Sequence, residues 1–146
     1  VNIIFHVFGN NRPAPSIPSL DYQVSALKIR DNPYNYKHLR KLTGLHKPVQ
    51  EQVREAKNYY QYLQQWQTHI QRFIDTDCSE INVAIFCHAG RHRSPVVAQD
   101  LATCLELPVV LRFYNPAARA MQALIRLHGY DAACDMFKMT EFFTRS

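Results

Sequence analysis

The run Ile81-Asn82-Val83-Ala84-Ile85-Phe86 constrains the fold more than any other segment. Apart from Asn82 it is apolar at every position, so a strand there has to be covered on both faces, as central strands of parallel sheets are. Asn2 to Phe8 and Pro108 to Phe113 are further short apolar runs. Ser25 to Arg30 alternates apolar with basic residues and completes four expected strands. Between them lie segments of helical period. Lys47-Pro48 opens one long helix expected to reach Phe73, with Val49, Val53, Ala56, Tyr60, Leu63, Trp66, Ile70 and Phe73 on a single stripe. Other helices are expected over Tyr36 to Leu42, Ser94 to Glu106, Asn115-Pro116 to Gly129, and Asp131 to Phe143. Short apolar strands linked by helices predict a three-layer α/β fold with a mainly parallel sheet and flanking helices. In it, residues 81–106 form a strand–loop–helix unit.

The 146 residues are 47% hydrophobic and 20% charged, enough for one domain with a sizeable core. Residues 1–146 are expected to form a single domain with a helical C-terminal extension over 116–146. The net charge of +5 favours anionic partners. No apolar run approaches the 18 or so residues of a membrane span, so no membrane partner is expected. No signal peptide is visible, and a chain opening on Val1 reads as a trimmed or excised piece. Cys78, Cys87, Cys104 and Cys134 contain no CxxC pair. That spacing argues against structural zinc; no metal and no cofactor is expected, and the thiols read as reduced in a cytoplasmic protein.

Chemistry concentrates in residues 83–102. A strand delivers the chain to Cys87, five residues intervene, and Arg93-Ser94-Pro95 opens a helix. Loop and helix N–H groups then converge on one point, which defines an anion site. Gly90 permits the tight turn such a cradle requires. Arg93 is suited to bidentate contact with a phosphate, and Arg91 and His92 are expected to add positive charge. The expected phosphate-binding set is His88, Ala89, Gly90, Arg91, His92, Arg93 and Ser94. Cys87 is aimed at the same point, where a thiolate would be stabilised. Arg12, Arg30, Lys37, Arg40, Lys41 and Lys47 are candidate contacts for the rest of a ligand, or for RNA. Tyr59, Tyr60, Tyr62 and Trp66, at helical spacing, read as core or subunit interface before base-stacking. His6, within a strand, reads as a satisfied core histidine.

Two families share this loop. It resembles the Cys-x5-Arg-Ser/Thr loop of cysteine-dependent phosphatases, which implies Cys87 as nucleophile, Arg93 holding the phosphoryl group and an Asp as acid. The low-molecular-weight group takes that acid from an Asp-Pro dipeptide. None occurs in this sequence, and Asp31, in Asp31-Asn32-Pro33, is the nearest substitute. The second resemblance is longer. Asn32, Pro33, Leu39, Arg40, Thr43, Gly44, Leu45, Lys47, Pro48 and Val49, followed by Cys87, Gly90, His92, Arg93 and Ser94, fall in the order seen in the RapZ C-terminal domain family. This likeness is clearest over 32–102. It implies an α/β domain that binds a phosphosugar metabolite and RNA and that forms homo-oligomers, with metabolite contacts carried over to His88, Ala89, Gly90, His92 and Arg93.

Departures from that family are specific. Its loop has Thr-Gly-Gly where this chain has His88-Ala89-Gly90, and its amino-terminal nucleotide-binding domain has no counterpart in these residues. After the strand matching Pro108 to Phe113 it ends in a basic tail, where this chain continues into about 30 helical residues. The sequence therefore supports first a domain that binds a phosphorylated metabolite, nucleotide or RNA phosphate. A cysteine phosphatase is second, because no complete acid–nucleophile pair is visible. A folded interaction module whose loop holds only an adventitious anion is third.

Overall fold

The computed structural model describes residues 1–76 and 78–144. Four strands, β1 (Asn2–Gly9), β2 (Leu20–Ser25), β3 (Glu80–Cys87) and β4 (Val109–Phe113), lie in the order β2-β3-β1-β4, and every pairing is parallel. Seven α-helices flank them: α1 (Lys37–Arg40), α2 (Lys47–Arg54), α3 (Tyr59–Ile74), α4 (Arg93–Leu105), α5 (Pro116–His128), α6 (Tyr130–Phe137) and α7 (Glu141–Thr144). This is the expected α/β class, and it is consistent with three layers. Ile3, Phe5 and Val7 of β1 and Ile81, Val83 and Ile85 of β3 point into one core with Val96, Val97 and Leu101 of α4. The period-2 pattern of the strands meets the period-3.6 face of the helix, which is why both runs are apolar.

Three expected boundaries are corrected. The second strand is Leu20–Ser25, and residues 26–28 turn as a 3-10 helix. The buried side chains are Ala26 and Ile29, three apart, while Leu27 is 38% exposed. That spacing belongs to a turn, and the alternation over Ser25 to Arg30 was apparent only. The long helix is two helices, α2 and α3, separated at Asn58, whose backbone is left-handed (φ 66°). Asn adopts that conformation more readily than most residues. After the break the stripe changes phase, so Tyr59 is buried and Tyr60 is 63% exposed. Asp100 on α4 joins the two pieces, accepting from Arg54 (Nη2–Oδ1 2.7 Å) and from the Tyr59 hydroxyl (2.6 Å). The last helix is also two, α6 and α7, because Met139 and Thr140 donate their N–H groups to the carbonyls of Met136 and Phe137 in a tight turn.

In this strand order β1 has β3 on one side and β4 on the other. Loops leaving the carboxyl ends of β1, β3 and β4 therefore meet at a switch point, the usual ligand position in open α/β sheets. His6 is buried there in the sheet, bonded through Nδ1 to the Tyr114 hydroxyl (3.0 Å) and through Nε2 to Asn82 Oδ1 (2.9 Å). It is the satisfied core histidine expected.

Candidate anion-binding site

The loop from His88 to His92 owes its shape to neighbours that take its carbonyls. Asn10 and Asn11 donate backbone N–H groups to the carbonyls of Cys87 (2.9 Å) and His88 (3.0 Å), and Asn115 Nδ2 donates to that of Ala89 (3.0 Å). Gly44 N–H donates to the carbonyl of Arg91 (2.8 Å). Among the described residues, no protein acceptor takes the N–H of His88, Ala89, Gly90, Arg91 or His92. Carbonyls turned outward and amides left over is the arrangement of an anion nest. Gly90 is required for it: its φ is +72°, and a Cβ there would lie 2.6 Å from the Phe8 carbonyl carbon. Helix α4 begins directly after the loop with no side chain capping its first turn, so its positive end is open to the same point.

A cavity of about 700 Å³ opens over this loop, lined among others by Cys87, His88, Ala89, Arg91, His92 and Arg93. That volume suits a small organic ligand. Arg12 and Arg40 also line it, and among the described residues no Asp or Glu does. Arg93 is only 6% exposed, and its Nη1 donates to the Ile29 carbonyl (2.8 Å). Among the described residues the one salt bridge is Arg54–Asp100, so Arg93 is a buried cation without a carboxylate. Burying an unpaired charge is expensive, and an arriving anion removes that cost. Cys87 is buried, with its Sγ 3.1 Å from Ser94 Oγ.

Other candidates are placed differently. Arg91 touches the cavity, but its guanidinium donates to the carbonyls of Leu42 (3.0 Å), Lys41 and Phe142 (2.8 Å). It ties the loop to α1 and the C-terminal helices. His92 does not add the charge expected of it. Burial, and then the nearby Arg91 cation, lower its pKa to about 4, so near neutrality its Nε2–H donates to the Arg40 carbonyl (3.2 Å). Asp31 lies outside the cavity lining, both its oxygens accepting, from the Tyr36 hydroxyl (2.8 Å) and from Gln52 Nε2. Arg30 lines a separate hollow with Arg93. Lys37 is exposed and lines neither. The Lys41 and Lys47 ammonium groups sit over the rings of Phe143 (5.9 Å) and Tyr130 (4.6 Å). Cys78 is exposed, Cys104 and Cys134 are half-buried, and all four thiols are free.

Sequence reasoning passed over Asn11, Asn32, Tyr34, Tyr114 and Asn115, which also line the cavity. Asn115 does two jobs, since its Oδ1 caps α5 through the N–H groups of Ala117 and Ala118. The available signal was its place immediately after a strand that ends at the switch point. Gly44 is packed against the start of α4. A Cβ on Gly44 would lie 2.4 Å from the His92 carbonyl oxygen and 2.8 Å from the Pro95 Cβ. Gly44→Ala is therefore expected to destabilise the fold by about 1–3 kcal/mol as an overpacked contact. That corresponds to a fall of roughly 2–10 °C in Tm. A calorimetric melt checks it, and an unchanged Tm would show that the contact yields freely.

Comparison with known proteins gives the family. The sequence pattern of the RapZ C-terminal domain matches residues 1–114, all four strands and the loop included. The chain belongs to the RapZ C-terminal domain family. Curated relatives include a nucleotide-binding protein of Burkholderia cenocepacia, 35% identical over 119 residues, which are 75% of this chain and 37% of that protein. A nucleotide-binding protein of Ralstonia nicotianae is 32% identical over 110 residues, 70% of this chain and 35% of its own. One from Burkholderia vietnamiensis is 34% identical over 110 residues, 70% and 34% respectively. The match thus spans about a third of these relatives' length. In this RapZ-type chain α5, α6 and α7 lie beyond the family match, and α6 packs against His46 and the start of α2. Phe137 meets the His46 ring edge-on, with centroids 4.9 Å apart, and the Tyr130 hydroxyl accepts from Lys47 N–H.

Proposed function

We propose that this domain recognises the phosphate group of a nucleotide or phosphorylated metabolite, such as a phosphosugar, through the Cys87–Ser94 loop, and that it binds without turning the ligand over. One observation carries the reading: Arg93 is a buried guanidinium with no carboxylate partner among the described residues, at a cavity they line with cations and no acid. The names of the relatives as nucleotide-binding proteins agree with it. Titration calorimetry with adenosine 5′-monophosphate and glucose 6-phosphate tests it. Either or both should bind, while adenosine and glucose give no heat. Equal binding of phosphorylated and unphosphorylated partners would refute it.

RNA enters this reading as a further partner, through Arg12 and Arg40 at the cavity, Arg30 at the separate hollow and the exposed Lys37. Homo-oligomerisation and a cytoplasmic setting belong to the same reading, the first by family likeness and the second from four unpaired thiols. No helix among the described residues is long and apolar enough to cross a membrane.

A cysteine phosphatase is the second reading, favoured by Cys87 at the cavity with the Ser94 hydroxyl beside its sulfur. Catalysis would need an acid for the leaving group, and among the described residues no carboxylate lines the cavity. Wild-type protein is accordingly expected to leave phenyl phosphate, whose leaving group needs that proton, intact between pH 5 and 8. Turnover that disappears in Cys87→Ser would reverse the order of the two readings.

A further inference from the structure

Arg93 borders two openings. The second is a hollow of about 600 Å³ lined by Ser25, Leu27, Lys28, Arg30, Tyr62 and Arg93. Its shape follows from the tripeptide Lys28-Ile29-Arg30. Ile29 is fully buried in the core and its carbonyl holds Arg93 Nη1, so the flanking Lys28 and Arg30 are left exposed on either side. Three cations thus line one hollow, and no acidic residue among the described ones does. Like charges this close repel one another in both the empty protein and the bound one unless an anion sits among them. Ser25 and Tyr62 belong to the same lining.

We propose that this hollow is a second oxyanion subsite, on the β2 side of Arg93, that takes a phosphate group. Its phosphate comes from a second phosphate on the small ligand in the loop or from the next phosphate of a polynucleotide strand. Either source places one phosphate on each side of the Arg93 guanidinium. The inference rests on the loop reading only in that shared ligand; the cations of the hollow exist regardless of what fills the first cavity.

Calorimetry on the full chain with adenosine 5′-monophosphate, adenosine 3′,5′-bisphosphate and the 5′-phosphorylated dinucleotide pApA separates the possibilities. At least one of the two longer anions should bind about ten-fold or more tightly than the monophosphate, the size expected for one added charge-assisted contact. A gain for the bisphosphate identifies a small ligand, and a gain for pApA alone identifies a strand. In Lys28→Ala/Arg30→Ala the gain should vanish. In Lys57→Ala/Arg126→Ala, which removes the same charge from exposed positions elsewhere, it should persist. No gain in wild type, or a gain that survives loss of Lys28 and Arg30, overturns the subsite. Amide shifts with inorganic phosphate keep the two readings apart. Saturable movement of residues 27–30 with a silent loop supports the second subsite and defeats the loop reading; movement of the loop alone does the reverse.

Discussion

Arg93→Ala is expected to lower affinity for a nucleoside monophosphate at least about 100-fold, since truncating one member of a desolvated charge pair costs roughly 2–5 kcal/mol. The same change should leave the ligand-free protein about as stable as before, or more so, which is unusual for a residue only 6% exposed. Its cation is buried without a carboxylate, so removing it relieves a desolvation cost that offsets the lost bond to the Ile29 carbonyl. Ligand should then raise the Tm of wild type by mass action and leave that of the variant unmoved. Paired melts with and without adenosine 5′-monophosphate show both effects. A variant that is strongly destabilised yet still raised by ligand would mean that Arg93 is a structural residue.

Acid should unfold this protein early. Burial lowers the pKa of both His92 and His46 to about 4, from an ordinary 6.5. Arg91 adds to the effect at both rings. His46 Nδ1 accepts from Thr43 N–H (3.0 Å), so its proton is on Nε2, which is buried with no hydrogen-bond partner among the described residues, in a ring that meets Phe137 edge-on. Folded-state values below the unfolded value mean that the unfolded chain takes up protons first. Stability is thus full above about pH 6.5 and is lost as pH falls towards 4. Each histidine removes roughly 2–3 kcal/mol between pH 7 and 4.5, a large share of a typical domain's stability. Urea unfolding at the two pH values measures it. His92→Gln should flatten the dependence by about half, and an unchanged slope would show that His92 titrates normally.

The strand–loop–helix unit was legible because its signals are local. An apolar period-2 run, a glycine, and Arg-Ser-Pro opening a helical stripe all lie within residues 81–106. What holds the loop in shape was not local. The N–H of Gly44 and the side chain of Asn115 reach Arg91 and Ala89 across 47 and 26 residues. Only Asn115, just beyond the end of β4, carries a local sign of that role. Charge was over-read for a related reason. Arg91 and His92 look like solvated cations in sequence, yet one is spent on three carbonyls and the other is buried and neutral. Periodicity also failed where two phases abut. The stripe through Val53 and Tyr60 continues on paper, while the left-handed Asn58 rotates Tyr59 into the core instead.

The most direct test of the account is an amide-resolved titration of the protein with inorganic phosphate. The N–H groups of His88, Ala89, Gly90, Arg91 and His92 face no protein acceptor among the described residues, and His88, Ala89, Arg91 and His92 line a cavity with Arg93. They should move downfield together and saturate on one binding curve, with Arg93 side-chain resonances following it. Loop amides that stay in place at saturating phosphate, or that drift linearly with ionic strength like the surface, would contradict the account.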